Sequence, residues 1–220
     1  MVKKIIVCCI DEDVKSIVLK GFSSLMGENQ ITVCRNVYEL HNSCRYANDT
    51  AVIFDKYFLG YVLSYELIRL KYLNDKLLTY FVELGDCSHY LAMRVHQLGV
   101  EGFIPHIEDA EYFKNCINKI KSGMRLYPDQ ILKSFEDGDY LLDQKSISEV
   151  TEKEMQIGLY LGNGFTQKEL CYITGLSKQT VSCYTRRLKR KIGYKKPDDF
   201  TLLCKSYFSK NTGGDDDNKD

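Results

Sequence analysis

Between residues 4 and 120, apolar runs of strand length alternate five times with segments of helical spacing. No other feature limits the fold as much. Lys4 to Ile10 reads as a strand buried on both faces and ends in Asp11-Glu12-Asp13. Val14, Ile17, Val18, Phe22 and Leu25 then recur at helical intervals, and Gly27 closes that segment. Ile31 to Cys34 and Ala51 to Phe54 read as the second and third strands, separated by a helix through Val37, Leu40 and Cys44. Asp55 follows the third strand. Tyr61 to Tyr72 reads as helix, Leu77 to Val82 as strand, His89 to Leu98 as helix, Glu101 to Pro105 as strand and Asp109 to Ile120 as helix. Such alternation predicts a parallel sheet wrapped by helices, with right-handed crossovers and a site at the carboxyl ends of the strands. Asp11, Glu12 and Asp55 all fall at such ends.

Past residue 122 the pattern changes. Pro128, Gly138 and a run of acidic residues mark a linker, with one short helix predicted from Pro128 to Phe135. From Thr151 the spacing is helical throughout. Thr151-Glu-Lys-Glu154 is a capping-box signature, Gly162-Asn-Gly164 ends that helix, and Thr166 caps the next. After the turn at Gly175-Leu176, Ser177 caps a longer helix. Val181, Tyr184, Leu188 and Ile192 form an apolar stripe along it, with Lys178, Ser182, Arg186, Lys189 and Arg190 on the opposite side. A helix anchored along one side and cationic on the other, after a tight turn, is the layout of a helix-turn-helix that enters a DNA groove. Pro197 to Tyr207 reads as a fourth helix suited to dimerisation.

Charge follows the same division. Residues 1–150 carry 17 Lys and Arg against 21 Asp and Glu, residues 151–205 carry 11 against 5, and residues 206–220 carry 2 against 4. An acidic front and a basic back suit two units with different partners, the second a polyanion. The nine cysteines show no C-x-x-C pair, and their odd number does not suit a disulfide framework, so a reducing cytoplasm is the expected location. No apolar stretch approaches the ~20 residues of a membrane helix. The four histidines have no nucleophile at recognisable spacing, which argues against an enzyme.

The motifs Thr151-Glu-Lys-Glu154, Gly164-Phe-Thr-Gln-Lys-Glu-Leu170, Gly175-Leu-Ser-Lys-Gln-Thr-Val-Ser182 and Lys191-Ile-Gly193 resemble those of the LuxR-type helix-turn-helix. Cys171 stands where that family usually has Ala. The front part resembles a receiver domain, so the whole resembles a NarL/FixJ-type response regulator. The resemblance implies an α/β receiver domain at 1–122 with a five-stranded parallel sheet in flavodoxin-like order. A linker at 123–148, an all-α four-helix DNA-binding domain at 149–210 and a disordered acidic tail at 211–220 would follow. In the output domain it implies Ser182, Cys183 and Arg186 facing bases, and Lys178, Gln179, Thr180, Arg187, Lys189 and Arg190 holding phosphates. Its implied partners are double-stranded DNA, a second copy or a related regulator, and a sensor kinase, with no membrane.

In the receiver, Asp55 matches the phosphoacceptor, and Asp11, Glu12 and Asp55 match the carboxylates that hold Mg²⁺. Phe103 keeps the switch aromatic. Two positions depart from the family: the hydroxyl position falls at Leu84, or at Glu83 one residue earlier, and the lysine position at His106. An acyl phosphate carries about −2 charge and needs cations and a donor to hold and sense it. The expectation is therefore a receiver that requires no cofactor, does not switch on phosphate and acts in dimerisation or docking. A conventional regulator gated by Asp55 with Mg²⁺, and an auxiliary regulator working as a heterodimer, are the alternatives.

Overall fold

The computed structural model describes residues 1–60, 63–136, 150–192, 200 and 204. It divides into two compact units, Met1–Leu142 and Asp143–Asp220. In the first, β1 (Lys4–Cys8), β2 (Ile31–Val33), β3 (Thr50–Phe54), β4 (Leu78–Val82) and β5 (Gly102–Ile104) form one parallel sheet in the order β2-β1-β3-β4-β5. Around it lie α1 (Glu12–Ser23), α2 (Val37–Cys44), α3 (Leu63–Leu73), α4 (His89–Gln97) and α5 (Ala110–Lys121). This is the expected five-stranded flavodoxin-like order.

The strands read as unbroken apolar runs because both faces are covered. Ile5 and Val7 of β1, Ile53 of β3 and Val82 of β4 pack with Val14, Val18 and Phe22 of α1 and with Phe113, Ile117 and Ile120 of α5. The residues between them face the other way. There Phe54, Phe81 and Phe103, from β3, β4 and β5, form a buried aromatic row, with centroids 5.3 Å apart for the first pair and 6.4 Å for the second. Phe103 is thus a core residue, 1% exposed. Gly21 lets α1 approach α5, since a Cβ there would come within 2.8 Å of Ile117 and 2.9 Å of Phe113.

The unit continues past the expected boundary at 122. Phe103 N donates to Leu126 O and Leu126 N to Glu101 O, so the segment after α5 lies beside β5. The short helix predicted in the linker is present as α6 (Asp129–Glu136), packed on α4. The rest of the linker before Val150, most of the fourth helix at 197–207 and the tail at 211–220 lie outside the described residues. Phe200 and Cys204 within that helix are helical and buried.

In the second unit α7 (Glu152–Gly162), α8 (Gln167–Thr174) and α9 (Lys178–Ile192) pack on one another. Thr151 with Glu154 and Thr166 with Glu169 both form complete capping boxes. Among the described residues, no helix is long and apolar enough to cross a membrane.

Candidate nucleic-acid interface and strand-end pocket

Helix α9 is set by the turn before it. Gly175 takes φ +66°, a left-handed conformation that glycine adopts without strain, and so ends α8. Two residues later the Ser177 Oγ accepts the Thr180 amide at 3.1 Å, satisfying one of the free N–H groups that begin α9. No acidic residue occupies the first turn of α9, so its positive end is not offset by side chains.

The buried side of α9 is Val181, Thr185, Leu188 and Ile192. Thr185 therefore takes the place expected for Tyr184, which is only half-buried. The physical reason is that the Thr185 hydroxyl is satisfied inside the helix, donating to Val181 O at 2.9 Å. At its far end α9 is pinned electrostatically. Lys191 Nζ lies 2.6 Å from Glu154 Oε2, and the same carboxylate oxygen accepts the Thr151 amide at 2.8 Å. Burial alone would push the Glu154 carboxyl up, but the Lys191 ammonium and the Thr151 donors outweigh it and hold it below the usual carboxylate range.

The opposite side of α9 is open. Lys178, Gln179, Ser182, Arg186, Arg187 and Arg190 are exposed, and Cys183 is half-buried. Two residues assigned to phosphate contact are engaged within the domain. Thr180 is half-buried against the Ser177 hydroxyl, and the Lys189 ammonium lies 4.7 Å from the centre of the Phe200 ring. The arrangement is an anchored helix with its guanidinium groups free of the core. It suits a phosphate-flanked groove, where backbone contacts orient and base contacts select.

The strand-end pocket of the first unit brings the segment that carries the acidic pair onto Asp55. Register pairs Cys8 with Phe54, which sets Cys9, not an acidic residue, abreast of Asp55. The acidic pair lies beyond, at the start of α1. Asp11 is the N-cap of that helix, its Oδ1 accepting the amides of Asp13 and Val14. Glu12 is exposed and pairs with Lys15 at 2.9 Å. The carboxylates of Asp11, Glu12 and Asp55 are therefore spent on separate partners. Among the described residues, no group of three acidic, His or Cys side chains is placed to hold a metal ion.

Asp55 is 1% exposed and accepts four backbone amides. Its Oδ2 takes those of Ile10 and Asp11, at 2.5 and 2.7 Å, and its Oδ1 those of Tyr57 and Phe58, at 3.0 and 2.8 Å. Burial pushes its carboxyl above the ordinary range, and the amides only partly offset this.

Next to it lies a buried ion pair that sequence reasoning missed. Lys56 Nζ sits 2.8 Å from Glu83 Oε1, with the side chains 9% and 2% exposed. Glu83 also accepts the Ser88 hydroxyl at 2.8 Å and the Ser88 amide at 2.9 Å. Of the two candidates for the hydroxyl position, Glu83 turns toward Lys56, while Leu84 packs at the edge of the core under α1 and α5. The available signal was Lys56 itself, a cation that with Asp55 interrupts the apolar stretch from Ile53 to Leu59, where a buried partner makes it tolerable. His106, at the expected lysine position, has φ +55° and a half-exposed ring. It lies between Asp86, 3.4 Å from Nε2, and Glu108, 3.6 Å from Nδ1.

Comparison with known proteins adds what the chain is similar to. Residues 148–202 match the family described as bacterial regulatory proteins, luxR family. The chain is similar to the Fimbriae Z protein of Escherichia coli (strain K12), 24% identical over 127 residues, which cover 58% of this chain and 60% of that protein. It thus spans less than two thirds of that relative's length. Among solved structures it is similar to the RcsB response regulator of Salmonella typhimurium, described for its conformational dynamism for DNA interaction. That likeness has a TM-score of 0.59 at 15% identity and covers 94% of this chain and all of the other. A second RcsB structure, from Salmonella enterica serovar Typhimurium bound to promoter rprA with the phosphomimetic BeF3-, has a TM-score of 0.57 at 16% identity. It covers 93% of this chain and 99% of the other. At these identities the likeness concerns the fold.

Proposed function

We propose that the chain is a NarL/FixJ-type response regulator that acts as a sequence-specific DNA-binding transcriptional regulator of the cytoplasm. The observation that carries this reading is the exposed cationic side of α9, held in place by a buried stripe and by Lys191–Glu154. Arg186, with Ser182 and Cys183, faces bases. Lys178, Gln179, Arg187 and Arg190 contact phosphates, with Thr180 and Lys189 at the rim. An Arg set bidentate on guanine discriminates by ~1–3 kcal/mol. Arg186→Ala should therefore abolish selection between specific and random duplexes while the fold persists. A footprint and affinity equal to those of the wild type would refute the assignment.

The same reading makes the first unit a docking or dimerisation element that does not switch on phosphate. Its support is the occupied pocket: Asp55 saturated by four amides, and the pocket cation, Lys56, already neutralised by Glu83. A phosphoryl group on Asp55 would displace amide donors, and the cation next to it in the chain, Lys56, is already paired with Glu83. Incubation with beryllofluoride and Mg²⁺ should leave dimerisation and DNA affinity unchanged. An Asp55-dependent rise in either would establish the conventional phosphorylated mechanism instead.

A further inference from the structure

The surface formed by α2 and α3 is apolar where a monomer would be polar. On α3, Tyr65, Ile68 and Tyr72 are 62%, 60% and 96% exposed and fall at steps of three and four, one stripe along the helix. On α2, which packs beside α3, Tyr38 is 76% exposed, and Tyr46, just past the end of α2, is 85% exposed. Tyr46 and Tyr72 border one open depression of about 650 Å³, with Arg45 and Asp75 in its lining. Contiguous exposure of this kind marks an interaction surface, and tyrosine with arginine is the composition of its energetic centres.

We propose that this face is the interface between two copies of the chain, related by a two-fold axis close to Ile68. The proposal rests on the reading of the first unit as a dimerisation element. Three observations select a second copy as the occupant. First, the stripe is nearly symmetric about Ile68, so antiparallel α3 helices set Tyr65 of one protomer against Tyr72 of its partner, and the reverse. A two-fold interface requires such self-complementarity. Second, the area is right. At ~150–250 Å² for each fully exposed aromatic side chain, four tyrosines and Ile68 offer on the order of 700 Å². A stable interface buries about 800 Å² per partner. Third, the cation nearest the centre is countered within its own helix, with Arg69 lying 3.8 Å from Glu66. The depression beside Tyr72 provides a receptacle for a ring at the rim of the opposing face.

The test is the oligomeric state of the full chain by sedimentation velocity, for the wild type, Ile68→Asp and a control, Lys114→Glu on the exposed side of α5. Ile68 is largely solvent-exposed, so its replacement should leave the thermal unfolding profile intact. The expected result is a wild-type dimer that Ile68→Asp weakens by roughly 100-fold and Lys114→Glu leaves unchanged. Independently, Ile68→Cys should form on mild oxidation a covalent dimer whose cross-linked peptide carries position 68 from both copies. A dimer that survives Ile68→Asp would overturn the assigned face while leaving the dimerisation reading standing. A wild-type chain that stays monomeric at hundreds of micromolar would overturn both, and DNA affinity measured alongside shows whether the function of α9 is independent of either.

Discussion

Removing the Lys56 ammonium leaves Glu83 as a buried charge without its counter-ion. The Glu83 side chain is 2% exposed, so water cannot replace the lost partner without opening the end of β4. Breaking a buried pair from one side costs ~3–5 kcal/mol. The lower part of that range applies, because the amide and hydroxyl of Ser88 still donate to Glu83. Lys56→Met should therefore destabilise the first unit by about 3 kcal/mol, a fall in Tm on the order of 10 °C for a unit of this size. The double variant Lys56→Met with Glu83→Gln removes the charge and keeps an acceptor for Ser88. It should recover all but ~1 kcal/mol of the loss. Urea unfolding of these proteins and of the Glu83→Gln single variant, followed by circular dichroism, gives the complete cycle. A Lys56→Met variant within ~1 kcal/mol of the wild type, or a double variant no more stable than the single one, would refute the reading of Lys56 as the counter-ion that Glu83 requires.

Other consequences are local to the output domain. Gly175→Ala should cost ~1–2 kcal/mol from left-handed backbone strain alone, because an added Cβ meets nothing within 4 Å. Gly175→Asn should cost less, and equal Tm values for wild type and Ala would contradict the turn geometry. The Glu154 carboxyl is held below its unfolded value of 4.5, so its contribution to stability is present above that pH and disappears as pH falls through the lower folded value. Unfolding free energies of wild type and Lys191→Met should accordingly converge below pH 4.5. Parallel curves would show that the Lys191–Glu154 contact contributes nothing.

The order of elements, the parallel sheet and the helix-turn-helix were readable in the chain because each depends on local periodicity. Apolar runs such as Ile5 to Cys9 need burial on two faces, and Gly175 followed by Ser177 needs a left-handed stop and a cap. Those requirements act within a few residues. The chemistry of the strand-end pocket was not readable, because register between strands decides it. A sequence match places Asp11 and Glu12 at the end of β1. The pairing of Cys8 with Phe54 sets Cys9 abreast of Asp55, and the fold then puts the Asp11 amide on the Asp55 carboxylate while the Asp11 side chain caps α1. Lys56 and Glu83 are 27 residues apart and meet only because β3 and β4 are neighbours. Thr185 replaced Tyr184 in the core of α9 for a similar reason: a hydroxyl can be buried once its own helix satisfies it. Periodicity alone determined which segments form sheet and helix in this protein. Which charges meet, and so which are left to act, was decided by tertiary packing, because a buried charge is tolerated only where the fold delivers its partner.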